Sequence, residues 1–174
     1  IPMIKKRRET GLTLLEVVIA IVLIEAFIYY GKPWYDDYRI RSQVADVAFQ
    51  LGDLRSTVGF CISDSRDLSS CYISLEKAGS ELITGGNPQR WGTGATREYL
   101  ESQGEVGFPM ITMGGGRNEV ATIEAYFSDK APAIVQGEMI SWSRGQDNKW
   151  YCTTTVIEKY APSGCYVVPK AVPK

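Results

Sequence analysis

The chain has 174 residues, 44% of them hydrophobic and 22% charged, with a formal net charge of −1. Such a length and composition fit one globular domain around a single core. Histidine is absent, which excludes imidazole acid–base chemistry, Ser–His–Asp or Cys–His catalysis, and histidine metal ligands.

The charge is unevenly placed. Lys5, Lys6, Arg7, Arg8 and Glu9 fall in the first eleven residues. Without them the chain has 19 − 4 = 15 basic and 20 − 1 = 19 acidic residues. A mildly acidic body argues against general nucleic-acid binding. Met3 fits a start, and Ile1 and Pro2 are set aside.

An apolar run begins just after Gly11. Residues 12–30 are interrupted only by Thr13, Glu16 and Glu25. As a helix the run would rise about 28 Å, close to the hydrocarbon thickness of a bilayer. The cations before it predict a cytoplasmic N-terminus and an exported body. A secretory signal would place small residues after its apolar core, not a glycine before it. A carboxylate at the centre of a membrane helix costs about 3 kcal/mol, so it needs a partner or a function. Glu16 lies near the helix end, where the cost is smaller. Glu25 lies nine residues on, or about 900° of helix, and so on the opposite face. Lys32 is seven residues beyond Glu25 and nearly on its face.

Gly31-Lys32-Pro33 predicts an interruption, because proline removes a donor and clashes with the preceding turn. An amphipathic helix then follows. Ile40, Val44, Val47, Leu51, Leu54 and Val58 recur at helical spacing and form one stripe. Arg41, Gln43, Asp46, Gln50, Asp53 and Arg55 are expected to stay wet.

Residues 61–105 are mixed and rich in Gly, Ser and Asn. They predict a long connecting loop, with short elements near 75–83 and 96–102. Strands are expected at 106–113, 120–127, 133–143 and 150–157, separated by turn-forming Gly114-Gly115-Gly116, Ser128-Asp129-Lys130 and Gly145-Gln146-Asp147-Asn148. The fold class is therefore α+β: one long N-terminal helix packed on an antiparallel sheet of about four strands.

Cys61, Cys71, Cys152 and Cys165 lack CxxC spacing, which argues against a zinc or thioredoxin-like site. Behind an export-type N-terminus two disulfides are the better reading. Three pairings are open, of which the two local ones, 61 with 71 and 152 with 165, are preferred.

Three stretches resemble the type IV pilins, and the type IVa branch in particular. They are the cation cluster with Gly11 and the following apolar run through Glu16, the segment Pro33 to Val44 with its Arg41-Ser42-Gln43-Val44, and Trp150-Tyr151-Cys152 followed by Lys159-Tyr160-Ala161-Pro162-Ser163-Gly164-Cys165. The resemblance implies the pilin fold. It divides the chain into a leader at 1–11, a transmembrane or filament-core helix at 12–33 and a globular head at 34–174. It implies cleavage by a prepilin peptidase after Gly11, N-methylation of Leu12, and Glu16 as the carboxylate that meets the cationic terminus of a neighbouring subunit. It also implies a disulfide-bounded loop closed by Cys152 and Cys165. Leu12 stands where the family usually has phenylalanine. Glu25 departs from the family, which commonly has a small residue there. An intersubunit ion pair of Glu25 with Lys32 is one reading, and a protonated glutamate facing its neighbours is the other.

The function implied is that of a structural subunit of a type IV pilus. It would start in the inner membrane and finish in a surface filament used for adhesion, twitching motility and related uptake. Expected partners are further copies of the chain, the peptidase, the assembly machinery and surface receptors. No nucleic acid, cofactor, metal or enzymatic activity is expected. Alternatives are a minor or DNA-binding competence pilin, with a basic stripe drawn from Arg90, Arg97, Arg117, Lys130, Arg144, Lys149 and Lys159, or a type II secretion pseudopilin.

Overall fold

The computed structural model describes residues 13–64, 67–88, 106–114 and 119–170. The chain forms two compact units, Ile1–Tyr38 and Arg39–Lys174. One helix, α1 (Leu14–Ser63), contributes to both. It contains Pro33 and remains helical through Gly31-Lys32-Pro33, where an interruption was expected. A proline forfeits one backbone hydrogen bond, and the turns on either side keep theirs. Within the first unit the apolar side chains are exposed, Phe27 at 84% and Ile24 at 59%. The helix is long and apolar enough to cross a membrane.

In the second unit α1 becomes amphipathic. Val44, Val47, Leu51, Leu54 and Val58 are buried, with Ile40 partly buried at the edge of the core. Ala48 and Gly52 join the buried stripe. Gln43, Gln50 and Arg55, expected to be wet, are half-buried beside it.

The segment after α1 carries a short 3-10 turn at Leu68–Ser70, a one-turn helix α2 (Leu75–Ala78) and strand β1 (Ile83–Thr84). The element expected at 75–83 is thus split into α2 and β1. The element expected at 96–102 lies outside the described residues.

Among the described residues the sheet has six strands, where about four were expected. Beyond β1 they are β2 (Met110–Met113), β3 (Glu119–Phe127), β4 (Met139–Gly145), β5 (Trp150–Thr154) and β6 (Cys165–Val167). Their order is β1-β3-β4-β5-β6, with β2 pairing β3 beside β1. All pairs are antiparallel except β5 with β6, which is parallel. Inward-facing Ile111, Ala121, Ile123, Ala125 and Ile140 share one core with the α1 stripe. Alternate residues of each strand point away from it, as the pleat requires.

Two strands are shorter than expected for local reasons. Pro109 has no N–H to donate, and β2 starts after it. The bridge upstream pairs Ser80 with Gly107 in both directions at 2.9 Å. A Cβ on Gly107 would strike the Ile83 carbonyl, so glycine is required by this close approach. The first half of the strand expected at 133–143 is a turn. Val135 donates to the Pro132 carbonyl at 2.9 Å, and Gly137 has φ +69°. Val135 is fully buried, which accounts for the strand-like apolar content of a segment that is not a strand.

Candidate assembly surfaces

At the start of α1, Thr13 and Glu16 form a reciprocal cap. The Thr13 amide donates to Glu16 Oε2 at 2.8 Å and its hydroxyl donates to the same oxygen at 3.1 Å. The Glu16 amide donates back to Thr13 Oγ1 at 3.4 Å. This is the arrangement of a capping box, in which residues three apart satisfy the free donors of a helix end. The carboxylate thus points toward the N-terminal end of the helix. Gly11 and Leu12 lie outside the described residues.

Farther along, Glu25 and Lys32 line one shallow groove with Ile28, Tyr29, Pro33 and Asp36. They share a helix face but form no ion pair with each other among the described residues. Seven residues of helix separate them by about 10 Å along the axis, too far for direct contact. Both are exposed.

The head is closed by two disulfides, Cys61–Cys71 and Cys152–Cys165. The first joins the last turns of α1 to the segment after the 3-10 turn. The second joins β5 to β6, where Cys152 and Cys165 stand opposite each other in register. The enclosed loop is built from tight turns. Tyr160 donates to the Ile157 carbonyl at 2.9 Å, Cys165 donates to the Pro162 carbonyl at 3.1 Å, and Gly164 takes φ +90°. Tyr160 is buried under it, with Lys159 Nζ 5.0 Å from the centre of its ring. Past β6, Val168 donates to the Thr154 carbonyl at 2.8 Å and Lys170 meets Glu138 at 3.0 Å.

Between α1 and this loop runs a groove with Ala45, Ala48, Phe49, Gly52, Trp142 and Pro162 among its walls. Its floor is a polar clasp. Trp142 Nε1 donates to the Ala48 carbonyl at 3.1 Å. Arg55 lies 3.9 Å over the Trp142 ring and donates from Nε to the Gly52 carbonyl at 2.8 Å. A cation on an indole face is held by the ring quadrupole.

The hairpin between β4 and β5 holds a linked carboxylate and phenol. The Tyr151 hydroxyl donates to Asp147 at 2.5 Å, and the Lys149 amide donates to the same carboxylate at 3.2 Å. These bonds hold the Asp147 carboxyl below its ordinary range, and Asp147 in turn pushes the Tyr151 phenol up. Arg144, one of the cations considered for a basic stripe, faces the core side, half-buried, with Nη2 donating to Asn148. Arg90, Arg97 and Arg117 lie outside the described residues.

Sequence reading missed Thr13, Arg55 and Trp142 as structural determinants. Thr13 had a signal, the T-x-x-E spacing of a capping box. Trp142 had another, since it alternates with Ile140 and so faces the core. The Arg55 contact depends on tertiary placement and left no local signal.

Residues 40–166 match the pilin family, described as bacterial filament pilins. A type IV major fimbrial protein FimA of Dichelobacter nodosus is 29% identical over 160 residues, covering 92% of this chain and 97% of that protein. Fimbrial protein Q of Moraxella bovis is 26% identical over 165 residues, covering 90% and 97%. A crystal structure described as a Cs1 pilin chimera aligns with TM-score 0.46 and 16% identity, covering 74% of this chain and 98% of that one. With the family match spanning α1 from Ile40 through the six-stranded sheet to the C-terminal disulfide loop, the chain belongs to the pilin family and is a structural subunit of a bacterial filament.

Proposed function

We propose that this pilin is a principal subunit of a type IV pilus. The observation that carries the reading is the exposed apolar half of α1, joined in one chain to a disulfide-stapled head. An unpaired apolar helix of this length needs a bilayer first and neighbouring helices afterwards. Similarity over nearly the whole length to proteins named as major fimbrial subunits supports the same conclusion.

On this reading the precursor sits in the inner membrane with residues 1–11 as leader. A prepilin peptidase cuts after Gly11, and the new terminus at Leu12 is methylated. Glu16 then meets the cationic terminus of a neighbouring subunit. Glu25, buried in the filament, pairs with Lys32 of another copy. Assembly machinery in the cell envelope draws the subunits into a surface filament that serves adhesion, twitching motility and uptake, with surface receptors as further partners.

A second reading, a minor subunit, is favoured by 29% identity over 164 residues to a probable minor fimbrial protein of Dichelobacter nodosus. Shearing surface filaments from cells and measuring the mass of their dominant protein separates the two. A principal subunit gives this chain as the dominant species, beginning at methylated Leu12. A trace amount in filaments dominated by another pilin favours the minor role, and a chain that retains residues 1–11 overturns the processing scheme.

A further inference from the structure

The groove on the first half of α1 carries charged groups that its own helix leaves unpaired. Glu25, Lys32 and Asp36 line it together with Ile28, Tyr29 and Pro33, and the charged side chains are exposed. None of them forms an ion pair among the described residues. Lys32 and Asp36 are neighbours on one face, about 6 Å apart along the axis. Pro33 brings no N–H, so the Tyr29 carbonyl four residues back lacks its usual donor. Toward the N-terminus the same face continues as Val18, Ile21 and Val22, which are exposed. One surface thus presents, in axial order, an apolar track, a carboxyl group, an amine and a second carboxyl group.

We propose that, before assembly, this groove binds one zwitterionic phospholipid whose headgroup ends in a primary amine. The inference rests on the reading of α1 as a helix inserted in a bilayer. An apolar run at 12–30 that matches the hydrocarbon thickness puts Lys32, Pro33 and Asp36 at headgroup level on the exported side. Polar groups at that boundary need partners. The lipid phosphate sits on Lys32, its ammonium donates to Asp36 and the Tyr29 carbonyl, and an acyl chain lies along Ile28, Ile21 and Val18. Charge selects this class of lipid. The groove has two carboxyl groups and one lysine, so a headgroup with a phosphate and no amine meets like charge on either side of Lys32. A quaternary amine carries the positive charge but has no N–H to donate. In the filament, neighbouring subunits take the place of the lipid.

The test uses the full chain reconstituted in vesicles of equal parts phosphatidylethanolamine, phosphatidylglycerol and phosphatidylcholine. Flotation reports insertion, and native mass spectrometry of the released chain reports the lipid it retains. Phosphatidylethanolamine is expected to be enriched about fivefold over each of the others, the factor that one charge contact near a bilayer surface implies. Lys32→Gln is expected to abolish the enrichment. Asp36→Asn is expected to retain lipid but to discriminate less between the primary and the quaternary amine. Soluble glycerophosphoethanolamine, the same headgroup without acyl chains, is expected not to compete.

Retained lipid that mirrors the vesicle composition overturns the proposal while leaving α1 its place in the bilayer. A preference for phosphatidylglycerol, or enrichment that persists in Lys32→Gln, also overturns it. Displacement by the soluble headgroup overturns the choice of a lipid, because the apolar track then contributes nothing. A chain that fails to float with the vesicles overturns the underlying reading of α1 as a membrane helix.

Discussion

The indole N–H of Trp142 on β4 donates to the carbonyl oxygen of Ala48 in α1 at 3.1 Å, a bond across 94 residues of sequence. It is a side-chain tie between the middle of the sheet and the middle of the amphipathic helix, and Arg55 closes over it. Trp142→Phe keeps most of the ring and drops the bond, and is expected to cost about 1 kcal/mol. Trp142→Ala also empties a half-buried site and is expected to cost roughly 3 kcal/mol. Denaturant unfolding of the full chain in detergent, followed by near-UV circular dichroism, measures both.

The contact of Lys170 with Glu138 predicts a specific pH response. Partial burial raises the Glu138 pKa, but the Thr155 hydroxyl and the hydrogen bond and charge of Lys170 together outweigh it, and the net shift is downward. A carboxyl with a lowered folded pKa contributes stability above its unfolded value and loses it as pH falls through the folded one. Lys170→Ala is therefore expected to raise the Glu138 pKa and remove this contribution at neutral pH. With Lys170 62% exposed, the effect stays under about 1 kcal/mol. Carboxyl chemical shifts of Glu138 across a pH titration report it.

Asp147 and Tyr151 are coupled in the opposite sense. Asp147 raises the phenol pKa by accepting its proton in a hydrogen bond. Asp147→Asn removes the charge and is expected to bring the Tyr151 pKa down toward the ordinary phenol value. Ring-carbon shifts of Tyr151 above neutral pH show whether it moves.

The bridge between Cys152 and Cys165 closes a sequence separation of 13. Removing it as the double serine variant is expected to cost about 3 kcal/mol in the chain-entropy view. The parallel pairing of β6 with β5 depends on this closure, so residues 157–167 should become the first site of proteolytic cleavage. Limited proteolysis of the variant, mapped by mass, tests that order. Cleavage elsewhere first would mean that the turns at Pro162 and Gly164 hold the loop unaided.

Gly107 is a backbone test. Alanine there collides with the carbonyl of Ile83, and Gly107→Ala is expected to destabilise the head by more than about 2 kcal/mol. Thermal unfolding in detergent reads this directly.

Much of this architecture is legible in the sequence where a local rule suffices. Val44, Val47, Leu51, Leu54 and Val58 fall at steps of three and four, and that spacing alone places them on the buried face of a helix. The polar turn at 145–148 likewise separates β4 from β5. Other features are set by partners remote in sequence. β6 is only three residues long, and a disulfide-closed loop returns it alongside its parallel partner β5. Val135 looks like part of a strand because it is apolar, yet it reaches the core from a turn. Thr13, by contrast, is local: the T-x-x-E spacing with Glu16 three residues on already signals its bond. Glu25 and Lys32 are placed on one face by spacing, and they do line one groove.

A filament subunit carries tension from one neighbour to the next, and the two disulfides decide how its head responds to a pull. Each spans a stretch of chain, with separations of 10 and 13 residues, and shunts the load across a covalent bond. A residue drawn straight yields about 3.4 Å. Together the bridges withhold on the order of 80 Å of slack from each head. Until they are reduced, a strained filament of this pilin can lengthen only through segments that the sulfur atoms do not enclose.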